Sequence, residues 1–83
     1  MYEIRVLRRA VKDLGNVPRP YAEKIARQID QLAENPRPTG VKKLHGRRDY
    51  RLRVGPYRIL YEIDDDTEIV TIFRIKHRRE AYR

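Results

Sequence analysis

The sequence predicts an α+β domain of order β-α-α-β-β-β, an antiparallel meander with two N-terminal helices packed on one face. Its 83 residues allow a single domain, 1–83, around one modest core. Apolar residues recur at helical spacing through the first half and at alternate positions through most of the second. The proline-rich stretch "ENPRPTG" separates the two patterns.

The elements follow in order. Residues 2–7 alternate Tyr2, Ile4 and Val6 against Glu3, Arg5 and Leu7, the pattern of a half-buried strand. Ala10, Val11 and Leu14 in residues 8–14 have helical spacing, and Gly15 follows as a residue common just past a helix end. Pro20 suits a first helical turn, and Ala22, Ile25, Ala26, Ile29, Leu32 and Ala33 then trace one apolar stripe. Asn35-Pro36 ends this second helix, because proline biases its predecessor away from helical geometry. Tyr50, Leu52 and Val54 then alternate with Arg51 and Arg53, and Tyr57, Ile59, Tyr61 and Ile63 with Arg58, Leu60 and Glu62. Gly55-Pro56 between them suits a type II′ hairpin turn, which sets Val54 opposite Tyr57. "DDDTE" makes the next turn, and "IVTIFRIKH" reads as a last strand buried on both faces, its register open. Tyr2, Tyr21, Tyr50, Tyr57 and Tyr61 fall mainly on apolar parities and are expected in the core.

Composition narrows the chemistry. The absence of cysteine excludes disulfides and thiolate zinc sites. His45 and His77 are isolated, the "DDD" run fits a turn better than a calcium loop, and no Gly-rich phosphate loop or serine nucleophile motif is present, so neither metal nor cofactor is expected. No apolar run is long enough to span a bilayer, and "MYEIRVLRRAVKDLG" is unlike a signal peptide, which leads to an expectation of cytoplasmic residence.

Formal charge is +8, and it is clustered. Between Lys42 and Arg58 the bases are Lys42, Lys43, Arg47, Arg48, Arg51, Arg53 and Arg58, with Asp49 the sole acid. A two-residue turn sets Arg53 across from Arg58, with Arg51 on the same face. Like charges placed directly opposite cost roughly 0.2–1 kcal/mol. An anion held between the guanidinium forks removes that repulsion, and arginine suits phosphate because its planar donors engage two oxygens at once. The ligand class is then RNA or an acidic protein segment; the bland alternative is a solvated face whose arginine stems shield the sheet. The ending "RIKHRREAYR" adds Arg74, Lys76, His77, Arg78, Arg79 and Tyr82, with His77 a candidate for proton transfer and Tyr82 for stacking on a base or donating to a phosphate.

The segments "KKLHGRRDYRLRVGPYRILYEI" and "FRIKHRREAYR" resemble the Lys-Leu-x-Gly…Tyr-Arg-x-Arg-x-Gly-x-Tyr-Arg-x-x-Tyr block and the His-Arg…Tyr ending of the RelE/ParE toxin superfamily, across essentially the whole chain. The resemblance implies a toxin of a type II toxin–antitoxin pair, partnered by an antitoxin that wraps around it. On the RelE side it implies a ribosome-dependent endoribonuclease that cuts translated mRNA by 2′-hydroxyl attack. On the ParE side it implies a DNA gyrase inhibitor; a plain RNA- or ribosome-binding module is a third reading. The RelE-type positions match at Arg51, Arg53, Arg58, Arg78 and Tyr82, with Lys42, Lys43, Arg47, Arg48, Arg74 and Lys76 as further RNA contacts. Arg51 and Arg53 stand where well-studied RelE members carry lysine, and a guanidinium stabilises charge but does not take a proton from a hydroxyl.

Overall fold

The computed structural model describes residues 1–44 and 49–81. Its elements are β1 (Glu3–Val6), α1 (Arg8–Gly15), α2 (Arg19–Gln31), β2 (Lys42–Lys43), β3 (Asp49–Val54), β4 (Tyr57–Asp64), β5 (Ile69–His77) and α3 (Arg78–Ala81). All the expected elements form; β2 and α3 are additions, both too short to leave a periodic signature.

The strands make one sheet of order β1-β5-β4-β3-β2. β3, β4 and β5 are the expected antiparallel meander, but β1 pairs in parallel with β5, Glu3 opposite Ile69 and Val6 opposite Ile72. The sheet is therefore mixed rather than wholly antiparallel. Side-chain alternation reports which residues share a face and carries no strand direction. Direction is set by the long connection out of β1, which permits parallel pairing where a tight turn does not.

In the β3–β4 hairpin Val54 pairs with Tyr57 as expected, and Gly55 takes φ +59°, the positive value a primed turn requires of its first central residue. A Cβ there would also stand 3.0 Å from the Tyr21 ring. The last strand departs from its expectation of two buried faces. Its pairing passes from Leu60–Arg74 to Tyr61–Ile72, so Phe73 is an extra, bulged residue. Val70 and Ile72 before the bulge and Ile75 after it are all buried against the same core, although their spacing changes parity. The mixed parity of "IVTIFRIKH" thus records a bulge.

Ala10 of α1, Ile25 and Ile29 of α2 and the adjoining Leu32 pack with Leu52, Val54, Ile59, Tyr61, Val70, Ile72 and Ile75 of the sheet. Tyr61 is fully buried; its hydroxyl donates to the Pro36 carbonyl at 2.8 Å, and its ring stacks on Tyr50 at 5.8 Å. Tyr50 and Tyr61 meet the expectation of core tyrosines, whereas Tyr2 and Tyr57 are half-buried and Tyr21 is exposed at the margin, tilted against Tyr57.

A polar clamp closes the side of this core. Arg37, in the connector before β2, donates to both Asp65 oxygens at 3.1 and 2.8 Å, and Tyr2 donates to Asp65 Oδ1 at 2.6 Å. The Arg37 Nε–H also donates to the Tyr50 hydroxyl at 3.2 Å. These bonds, the Arg37 one foremost, hold the Asp65 carboxyl at about 2, against an ordinary value of 3.8. A depressed carboxylate pKa stabilises the fold above the unfolded value, and that contribution disappears as pH falls through the folded one. Wild-type stability is accordingly expected to decline between about pH 4 and pH 2 more steeply than that of Asp65→Asn, as read from urea midpoints at stepped pH.

Candidate nucleic-acid interface

The helices and their apolar contacts occupy one face of the sheet, and the arginines stand on the other. Arg53 pairs with Arg58 across β3 and β4, Arg51 pairs with Leu60, and β2 brings Lys42 opposite Arg51. Paired residues share a face and successive residues alternate, so Lys42, Arg51, Arg53 and Arg58 form one basic surface opposite Leu52, Val54 and Ile59. Together with Gly40 they line a single pocket of about 260 Å³.

The basic groups sit at different depths. Arg58 is only 5% exposed, so it forms the floor, and its Nη1 donates to its neighbour's carbonyl, Tyr57 O, at 3.3 Å. Arg51 is half-buried, while Arg53 and Lys42 stand at the exposed rim. The Arg53 Nε–H reaches the Gly55 carbonyl at 3.5 Å, which draws that guanidinium toward the hairpin turn. Gly40, at φ +91°, leaves one wall as bare backbone where a side chain would be strained. A partly desolvated floor under a cationic rim strengthens the attraction for an anion, because less water screens it. The donors are planar and several, as a phosphodiester requires.

The other sequence-predicted residues are distributed more widely. Lys76 pairs with Arg58 across β4 and β5 and extends the basic face by one strand. Lys43 pairs with Tyr50 and so takes the opposite parity to Lys42. Arg74 is engaged elsewhere: its Nε donates to Asp13 Oδ2 at 2.8 Å and its Nη2 to Oδ1 at 3.4 Å. Asp13 also accepts the Ile75 N–H at 3.0 Å, closing the edge of β5 beyond the end of β1. Burial pushes the Asp13 pKa up, but the Arg74 and Ile75 hydrogen bonds and the Arg74 and Arg9 charges outweigh it and leave it lowered.

His77 pairs with Tyr57 and lies on the core side of the sheet, across from the arginine pocket. Its ring stands edge-on to Tyr57 at 5.3 Å and lines a separate cleft with Asp13 and Arg74. Arg78 is exposed, and its N–H donates to the Pro56 carbonyl at 2.7 Å, so the start of α3 rests on the β3–β4 turn. Arg47, Arg48 and Tyr82 lie outside the described residues. Sequence reasoning missed Gly40 as a pocket wall, although "PTG" marks a turn, and missed the Arg37–Asp65 and Arg74–Asp13 pairs, for which no local signal exists. Among the described residues, no helix is long and apolar enough to cross a membrane.

The comparisons with known proteins bear on the family and the fold. The family model for the ParE toxin of type II toxin-antitoxin systems matches residues 4–82. The chain is 31% identical to the putative toxin RelE1 of Methanocaldococcus jannaschii, over 99% of this chain and 96% of that one. It is 34% identical to the toxin RelG of Mycobacterium tuberculosis, over 99% and 97% of the two chains. Among solved structures, the archaeal RelE–RelB complex from Pyrococcus horikoshii contains a chain that superimposes with a TM-score of 0.84 at 28% identity, covering 93% of this chain and 94% of that one.

Proposed function

From the premise that this chain belongs to the RelE/ParE toxin superfamily and is a toxin of a type II toxin–antitoxin system, we propose that it is a ribosome-dependent endoribonuclease acting on translated mRNA in the cytoplasm. The observation that carries this reading is the convergence of Arg51, Arg53, Arg58 and Lys42 on one pocket. In the reaction the substrate's 2′-hydroxyl gives up its proton to water as its oxygen attacks phosphorus, and the bond to the 5′-oxygen breaks as that oxygen takes a proton from water, leaving a cyclic phosphate and a 5′-hydroxyl. Arg58 at the floor, with Arg51 and Arg53, holds the non-bridging oxygens and stabilises the charge of the pentacoordinate transition state. Arg78 neutralises charge on the leaving side, and Tyr82, matching the family's terminal tyrosine, positions the substrate base. His77, on the far side of the sheet, is not given the proton-transfer step.

The solved relative from Pyrococcus horikoshii is a complex with RelB, which supports a cognate antitoxin for this chain too. The match to the ParE family model keeps one competing target, DNA gyrase. Short-pulse labelling after induction separates the two. Protein synthesis is expected to fall first, with primer extension showing new 5′ ends within translated codons; a prior fall in DNA synthesis with intact mRNA would point to gyrase.

A further inference from the structure

The displacement of His77 from the pocket leaves open what that side chain does, and its hydrogen bond supplies an answer. His77 Nδ1 accepts the backbone N–H of Arg79 at 3.3 Å. Its position immediately precedes α3, so the ring occupies the N-cap and satisfies the second helical N–H, as Asn or Ser does elsewhere. The first helical N–H, that of Arg78, goes to the Pro56 carbonyl at 2.7 Å. The donors that open α3 are therefore bound on one side by the turn joining the arginine-bearing strands and on the other by the imidazole. The ring is itself held edge-on by Tyr57, which rests against Tyr21 at 5.6 Å.

We infer that His77 is a positioning residue: it caps α3 through Nδ1 and thereby sets Arg78 beside the arginine hairpin. The inference rests on the proposed nuclease reading only for its catalytic consequence, since the cap is a property of the fold. It also accounts for an imidazole on the core side of the sheet, the face opposite the arginine pocket. The helix it caps spans only four residues, Arg78–Ala81, so its end contacts decide whether it stays formed.

The test compares His77→Ala, His77→Gln and His77→Asn in the full chain, by amide hydrogen exchange at Arg79 and by single-turnover cleavage of ribosome-bound mRNA. Asparagine places its side-chain oxygen near the Nδ1 position and restores the acceptor, whereas glutamine reaches toward Nε2. Exchange at Arg79 is expected to accelerate about 5–10-fold in the alanine and glutamine variants and to stay near wild type with asparagine. The cleavage rate constant is expected to fall by a similar factor in the first two with substrate affinity unchanged, and to recover with asparagine. Unchanged Arg79 exchange in His77→Ala would overturn the assignment. So would an asparagine variant that keeps the amide protected yet cleaves as poorly as alanine, because the ring itself would then be needed. Should the alanine variant not fold, the asparagine and glutamine pair carries the comparison. A wild-type protein that cuts no RNA would count against the nuclease reading, while the exchange data would still decide the cap.

Discussion

Arg58→Ala is expected to lower single-turnover cleavage of ribosome-bound mRNA by about 100- to 1000-fold, the usual consequence of deleting one preorganised donor to a developing negative charge. Arg58 is the position where this should be largest, because it forms the pocket floor and is 5% exposed, so little water competes for its N–H groups. Arg58→Lys keeps the charge and loses the fork, and an intermediate loss is expected, since a point charge cannot bind two phosphate oxygens in the same plane. Arg53→Ala, at the exposed rim, should lose less. Circular dichroism on each variant separates chemistry from folding. Removing Arg58 also relieves its cross-strand repulsion with Arg53, worth roughly 0.2–1 kcal/mol, which offsets part of any packing loss. Equal activity in Arg58→Ala and wild type would end the case for this pocket as the catalytic centre.

Tyr61→Ala carries the largest expected effect on stability, about 3–5 kcal/mol, the range for deleting a buried aromatic ring. Tyr61 is fully buried between β3 and β5 partners, stacks on Tyr50, and holds the connector to β2 through the Pro36 carbonyl. A domain of this size has a total stability of only about 4–12 kcal/mol, so the loss removes at least about a quarter of it. Tyr61→Phe keeps the ring and orphans the carbonyl, for an expected loss of about 1–3 kcal/mol. Urea midpoints for the two variants apportion the effect. If phenylalanine costs as much as alanine, the hydrogen bond rather than the ring stabilises this core.

Much of the basic face was legible before any coordinates. A two-residue turn around Gly55-Pro56 forces Arg53 opposite Arg58, and strict alternation then places Arg51 with them and Leu52, Val54 and Ile59 on the reverse. Alternation failed at β5, where the bulge at Phe73 shifts the parity, so apolar residues on one face looked like two buried faces. It could not register β2, whose two residues bring Lys42 into the pocket, because so short a strand has no period.

Local pattern by itself determined the number and order of the main elements, the hairpin register and the charge of the open sheet face, because each depends on neighbours within a few residues. Tertiary structure alone decided that β1 runs parallel to β5, that Asp13 takes up the charge of Arg74, and that His77 falls across the sheet from the arginines. Those outcomes join groups far apart along the chain, 61 positions for Asp13 and Arg74 and 66 for Glu3 and Ile69, or turn on a single bulged residue. Contacts of that kind are selected by the packing of the whole molecule, and no short window of sequence contains both partners.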